Sequence, residues 1–216
     1  ADTEGYSRQR VKVGPMSPLD RPDLSRAETP GQIGQGTSVE SISRVRDEML
    51  DQRIVAQSNQ ESYWETRSRY YTMIENVYNE PDEVSIRTTM DKFWESWQEL
   101  SLNPESTANR QAILERGQSL VNSIRNRDMA LTGIGNQLNS DIEASVEQLN
   151  NYANQIAILN TEIVKVKAVG DNPNDLMDRR DVLVEKLSKI ANITTDQRDS
   201  DEFMVHVNGQ VLVQGR

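Results

Sequence analysis

From Ser106 to Val169 the chain has no proline, and its apolar residues return at helical spacing. Ile142, Leu149, Ile156 and Ile163 recur every seven residues. Tyr152, Leu159 and Val166 stand three after Leu149, Ile156 and Ile163, and Ser145 breaks this second series. Two apolar positions per seven residues mark a helix that offers one seam to a partner. Upstream, Gly117, Ile124, Leu131 and Leu138 continue the second series, while Ile113, Leu120 and Ile134 occupy a neighbouring phase. A change of packing is expected near Gly133 and Gly135. One helix of about 60 residues would be roughly 90 Å long. That length predicts a rod, not a globule.

The flanking segments supply shorter elements. Residues 1–36 hold Pro15, Pro18, Pro22 and Pro30 with Gly5, Gly14, Gly31, Gly34 and Gly36, the composition of an extended arm. Short strands are expected at Ser7–Val13 and Thr37–Ser43. A first helix is expected from about Arg44 to Tyr78, closed by Pro81, with Asp82 available to cap the next. In that second helix Ile86, Met90, Phe93, Trp97 and Leu100 form one apolar stripe, stopped at Asn103-Pro104. Eight of the eleven aromatics lie between Tyr63 and Trp97, which predicts that the first two helices pack through them. Gly170 to Pro173 reads as a turn. A fourth helix follows from Asn174 to about Ala191, with Leu176, Leu183, Leu187 and Ile190 facing the rod. Phe203, Val205 and Val207 alternate up to Asn208-Gly209, before Val211 and Val213, which is a hairpin signal. The predicted fold is mainly α. It is an elongated antiparallel helical bundle with one very long helix, a Pro/Gly-rich arm and the start of a small β-rich domain. The expected divisions are 1–43 for the arm, 44–191 for the helical rod and 192–216 for the β-rich start.

Composition narrows the function classes. Only 35% of residues are hydrophobic, which suits a narrow apolar seam with much wetted surface. The net charge of −10 disfavours nucleic acid and anionic membrane as partners. No run of about 18 apolar residues is present to span a bilayer. The chain has no cysteine, which removes disulfides, thiolate metal sites and thiol nucleophiles.

Catalytic patterns are missing. His206 is the single histidine, so histidine triads and multi-histidine metal sites cannot form within the chain. Asp196, Asp199, Asp201 and Glu202 make an acidic loop without the spacing of a twelve-residue calcium loop, and read as a solvated turn. Carboxylate pairs such as Asp141/Glu143 and Glu61/Glu65 read as helix surface with i,i+4 partners, not a glycosidase dyad. No catalytic, cofactor-binding or metal-binding residue is assigned, and no cofactor is expected.

Two motifs are more specific. The first is Gly5-Tyr6-Ser7-Arg8-Gln9-Arg10-Val11; the second, far downstream, is Pro173-Asn174-Asp175-Leu176-Met177-Asp178-Arg179-Arg180-Asp181. With the polar helix between them, they resemble the bacterial flagellar hook-associated proteins of the first hook–filament junction layer. That family's N-terminal region reads Asn-x-x-Thr-Pro-Gly-Tyr-Ser-Arg-Gln-Arg-Val. Thr3 and the residues from Gly5 to Val11 match it, while Glu4 stands at the proline position. The later family stretch, Pro-Asn-Asp-Leu-Leu-Asp-x-Arg-Asp, is nearly intact. On the residues themselves, Asn174 or Asp175 is expected to cap the fourth helix, and Asp178, Arg179, Arg180 and Asp181 to make ion pairs with the adjoining rod. Arg8 and Arg10 have two readings, a solvated strand edge or a contact near the junction of axial core and outer tube.

The resemblance implies a structural subunit, not an enzyme. It implies a ring between hook and filament that serves as adaptor for filament assembly, within an external or periplasmic flagellum reached by secretion. The implied partners are the hook protein, a second junction protein and further copies of itself. An export chaperone would bind through a C-terminal helix that this chain lacks. On that reading the chain is an excised fragment without its axial-core termini, monomeric and unable to polymerise alone. Another axial flagellar protein, either the second junction protein or flagellin, and a coiled-coil adaptor stand as alternatives.

Overall fold

The computed structural model describes residues 4–16, 34–78, 85–199 and 202–214. Thr3, most of the proline-rich arm (Pro18, Pro22, Pro30 and Gly31 among it), Pro81, Asp82 and Asp201 lie outside them. The chain is mainly helical. Strands β1 (Gln9–Pro15) and β2 (Thr37–Arg44) are followed by helices α1 (Glu48–Tyr78), α2 (Ile86–Leu102), α3 (Thr107–Ala168) and α4 (Asn174–Ser188). Strands β3 (Ile193–Asp199), β4 (Glu202–Val207) and β5 (Gln210–Val213) complete it.

Local chemistry sets the boundaries. The first helix starts at Glu48, not at Arg44 as the sequence suggested. Arg44 still pairs with Gln9 across the β1–β2 ladder, and Val45 N–H donates to the Arg8 carbonyl. Asp47 then accepts from the free N–H groups of Met49 and Leu50, which caps α1. Ser85 caps α2 by accepting from Thr88 N–H at 3.1 Å, and Ser106 caps α3 in the same way through Asn109. The 62 residues of α3 run unbroken past Gly133 and Gly135. The helix ends at Gly170, whose φ of 86° lets its own N–H and that of Asp171 turn back to the carbonyls of Lys167 and Val166.

Two compact units divide the chain. The first comprises Ala1–Glu61 and Gln148–Arg216, and the second Ser62–Glu147. In the first, β1 and β2 form an antiparallel pair with a bulge at Lys12/Val13, and β3, β4 and β5 form an antiparallel sheet in sequence order. The predicted β4–β5 hairpin is present, and Asn208 and Gly209 both adopt positive φ, as its two-residue turn requires. β3 was not anticipated. Of the residues read as an acidic turn, Asp196 and Asp199 lie in β3 and Glu202 opens β4; β3 pairs with β4, Ile193 opposite Val207 and Thr195 opposite Val205. Ala153 and Ile156 of α3, Val184 and Leu187 of α4, and Ile193, Phe203, Val205 and Val213 of the sheet form the core. Leu183 packs at its edge.

The heptad seam of α3 is therefore core along only part of its length. Ile156 and Ile163 are buried, Leu149 and Tyr152 half-buried, and Ile142 exposed. The buried end is the one that α4 and the sheet cover.

The second unit departs further from expectation. Tyr63, Trp64, Tyr71, Tyr78, Trp94 and Trp97 are exposed. The close ring pairs among the described residues, Tyr63–Trp64, Phe93–Trp94 and Phe93–Trp97, each lie within one helix. The aromatics thus do not join α1 to α2. Phe93 instead lies against Gly117 of α3, where a Cβ would stand 3.5 Å from its ring. The buried line of α2 is also shifted one residue from the apolar stripe. Ser85, Thr89 and Ser96 are buried while Met90 and Trp97 are exposed. Thr89 and Ser96 tolerate burial because their hydroxyls donate back to carbonyls of their own helix.

Candidate functional site

The two sequence motifs meet in the first unit. Asp178 and Asp181 are three residues apart on α4 and so share a face. Ser7 donates its backbone N–H (3.0 Å) and its hydroxyl (2.6 Å) to the two oxygens of Asp178. Arg44, the last residue of β2, donates Nη1 to Asp178 at 2.8 Å and to Asp181 at 2.6 Å. Arg46 extends the network, with Nη1 to the Ser7 hydroxyl at 3.2 Å and a two-pronged contact to Asp51. Ser7 and Asp178 are both buried. Asn174 adds a further tie, since its side-chain N–H donates to the Ile42 carbonyl of β2 at 2.9 Å.

The balance of charge explains why these groups accept burial. Burial alone would push the Asp178 carboxyl up. The bonds from Ser7 and Arg44 outweigh it and hold the carboxyl below its ordinary range. Burial likewise opposes the charge of Arg46, but Asp51, Asp181 and Asp178 keep its pKa above the usual value.

Backbone geometry closes the clasp. Gly5 has φ of 78°, and a Cβ there would collide with Val182 Cγ2 and lie 3.4 Å from the Asp178 carbonyl. The motif's glycine is where the arm passes directly over α4. Beside it Glu4, at the family's proline position, pairs with Lys186 at 2.9 Å on an exposed edge. Gln9 is half-buried, and Tyr6, Arg8 and Arg10 point to solvent.

The second motif is used differently from expectation in three respects. Pro173, itself buried, occupies the N-cap of α4, and neither Asn174 nor Asp175 caps it. Asn174 is engaged with Ile42, and Asp175 is exposed. The partners of Asp178 and Asp181 come from the arm, β2 and the loop before α1, not from the long helix. Arg179 is exposed and Leu176 half-buried.

Arg180 forms no ion pair among the described residues. It lies in the core with its guanidinium 3.8 Å from the centre of the Phe203 ring, and Nη1 donates to Asn160 Oδ1 at 3.3 Å. Its Nε has no hydrogen-bond partner among the described residues. Asn160, buried on α3, donates in turn to the Phe203 carbonyl at 3.0 Å. Burial pushes Arg180 down to about 10. From sequence, Arg46 and Asn160 have no assigned role, Arg44 reads only as a helix start and Phe203 only as a strand residue. The available signal was two arginines at the end of a strand, opposite in charge to an Asp pair at helical spacing.

A cleft of about 510 Å³ is lined by Arg44, Arg46, Asp51, Arg180, Asp181 and Phe203; Arg44 and Arg46 are already held by Asp181 and Asp51, and Arg180 is stacked on Phe203. No group of three or more metal-ligating side chains is present among the described residues. No described helix is long and apolar enough to cross a membrane. Asp141 does not pair with Glu143 as a dyad would. It accepts from Tyr70 at 2.7 Å, Gln137 at 2.7 Å and Arg69 at 3.1 Å, and the Tyr70 bond is foremost in holding its carboxyl below the ordinary range. His206 lies in β4 opposite Thr194 and Val211.

Comparison with known proteins places these features in one family. The family model for the flagellar hook-associated protein FlgK helical domain matches residues 71–216. The chain is 32% identical over 200 residues to flagellar hook-associated protein 1 of Bacillus subtilis strain 168, covering 93% of this chain and 39% of that protein. It is 36% identical over 214 residues to flagellar hook-associated protein 1 of Salmonella typhimurium, covering 98% and 37%. The Escherichia coli K12 protein of the same name is 35% identical over 214 residues. A solved structure of the flagellar hook junction protein FlgK from Burkholderia pseudomallei superposes with a TM-score of 0.67 at 28% identity, over 76% of this chain and 29% of that one. The chain thus spans under two-fifths of the length of these curated relatives.

Proposed function

This chain belongs to the flagellar hook-associated protein FlgK family, and on that premise we propose that it is part of a structural subunit at the junction between flagellar hook and filament. The observation that carries the reading is the Ser7–Asp178 clasp. The two motifs that carry the family resemblance are not separate surface sequences but the two halves of one buried joint. The role is structural and not enzymatic. A subunit between a flexible hook and a stiffer filament needs a fixed relation between its entering chain and its helical body, and the clasp supplies one.

The proposed setting is a secreted protein of the bacterial flagellum. The hook protein lies below it, a second junction protein above, and copies of itself alongside in a ring. The export chaperone would engage a C-terminal helix of the complete protein. Gly5, Ser7, Asp178 and Asp181 hold the joint. Arg8 and Arg10, exposed beside it, are the motif residues placed to meet neighbours. The three-stranded sheet β3–β5 is read as the root of an outer β-rich domain.

The test is electron microscopy of cells lacking the parent gene, with flagellin assayed in the medium. Complete hooks without filaments, and flagellin lost to the medium, are the expected result. Normal filaments would overturn the junction reading.

A further inference from the structure

We propose that the face of α1 formed by Tyr63, Trp64, Arg67 and Tyr71 is a docking site for a segment of another protein that presents a single carboxylate among apolar side chains. The four residues fall at helical spacing, so one side of the helix carries them all. Arg67 is held in place from both sides. Nη1 donates to the Tyr63 hydroxyl at 3.0 Å, while Nη2 (2.9 Å) and Nε (3.2 Å) both donate to the Tyr71 hydroxyl. The guanidinium also lies 5.5 Å from the Trp64 ring centre and 5.2 Å from that of Tyr71.

The donor count shows what remains. A guanidinium has five N–H groups. The tyrosines take one from Nη1, one from Nη2 and the one on Nε. One N–H is left on each terminal nitrogen, and two charged donors on one guanidinium suit the two oxygens of a carboxylate. Arg67 pairs with no carboxylate among the described residues, whereas its neighbour Arg69 is already engaged with Asp141. The Tyr71 hydrogen bond, foremost among its contacts, favours the charged form.

The aromatic frame points to a protein partner. Tyr63, Trp64 and Tyr71 are each more than half exposed, although α1 has no fully buried residue against which such rings could have packed. Exposed Trp, Tyr and Arg together have the composition of an interface hot spot. Holding the arginine in advance lowers the ordering cost of binding. A phosphate backbone would call for clustered cations, and here Glu61 and Glu65 flank the site on the same helix. Those two carboxylates also repel a run of acidic residues. The occupant therefore brings one carboxylate to the fork and apolar side chains to the rings. The argument is independent of the hook–filament reading.

The experiment uses the full-length protein in its own cells, with photoreactive p-benzoylphenylalanine replacing the exposed Gln60 one turn before Trp64. The expected product is a cross-link to another protein at a segment with one Asp or Glu among apolar residues. Arg67→Glu should abolish it, and changing the partner's carboxylate to Arg in that background should restore it. With the purified partner, Trp64→Ala and Arg67→Ala should each weaken binding on the order of 30-fold, and Arg67→Lys should weaken it less. Circular dichroism and urea unfolding verify that each variant folds. Should Arg67→Glu not fold, loss of affinity in Arg67→Lys carries the test. Cross-links confined to the same chain or to second copies of it would overturn the proposal. So would cross-links to a segment without a carboxylate, or cross-links indifferent to Arg67→Glu.

Discussion

Ser7 and Asp178, 171 positions apart in the chain, share two hydrogen bonds that together occupy both carboxylate oxygens. Arg44 adds a third bond to Asp178 and links it to Asp181. Removing the acceptor should cost far more than removing one donor, because both Ser7 donors would then lose their partner in a buried site and Arg44 would keep only Asp181. Asp178→Asn offers one acceptor oxygen and turns an amide NH2, itself a donor, toward the donors. The expected loss is about 2–4 kcal/mol. Ser7→Ala keeps the backbone bond and should lose about 1 kcal/mol. Urea unfolding of both variants checks the order, and hydrogen exchange along β1 should accelerate in Asp178→Asn first.

The same bonds give the clasp a pH dependence of known sign. Asp178 titrates lower in the folded chain than its ordinary value, since hydrogen bonds to the charged form outweigh burial. Its contribution is therefore complete above about pH 4–5 and is lost as pH falls through the folded pKa. The stability gap between wild type and Asp178→Asn should be constant near neutrality and close below about pH 4. Asp141 shifts in the same direction, so it is the difference between the two proteins that isolates Asp178. A gap that widened on acidification would contradict this assignment.

Gly5→Ala tests the backbone half of the joint. Its φ of 78° is strained for any residue with a Cβ, and that Cβ would also strike Val182. The two penalties should sum to about 2–4 kcal/mol. Adding Val182→Ala should relieve the collision but not the torsional part. The double variant is expected to unfold at a denaturant concentration between those of Gly5→Ala and wild type, after allowance for Val182→Ala alone.

Glu4 is the one departure from the first family motif, and its partner shows why the departure is mild. The Glu4–Lys186 pair has side chains 71% and 40% exposed. Such pairs are screened by water and salt, so Glu4→Ala should leave the unfolding midpoint nearly unchanged. Added salt should reduce even that small shift. A larger, salt-independent loss in thermal unfolding would mean that Glu4 acts on the turn into Gly5 and not through its charge.

What the sequence made legible were features written locally. The ends of α3 follow from Ser106 and Gly170, and the β4–β5 hairpin follows from Asn208-Gly209. Ile156, Ile163, Leu183 and Leu187 were placed on inward faces by their spacing. What stayed hidden depended on distant partners. β3 has the polar composition of a turn and becomes a strand only because β4 pairs with it. The aromatics of α1 and α2 look like core by type, yet burial is decided by what covers a face. Ser7 reads as an ordinary strand serine until Asp178 is brought beneath it.

Arg180 provides the last test, since its place in the motif suggests an ion pair and the structure gives it a ring. Three terms compete. Burying an arginine without a carboxylate costs several kcal/mol. Stacking on Phe203 returns about 2 kcal/mol when desolvated, and the 3.3 Å bond to Asn160 about 1. The sum predicts that the charge does not stabilise the fold. Arg180→Met keeps the stem and the ring contact without the charge, and should be neutral or more stable by about 1–2 kcal/mol. Arg180→Lys retains a charge but loses the planar stack, and should lose about 1–3 kcal/mol. Asn160→Leu strands the buried Phe203 carbonyl and should cost about 1–3 kcal/mol in either background. A loss above about 3 kcal/mol in Arg180→Met, measured by urea unfolding, would show that the stack and the Asn160 bond outweigh desolvation after all.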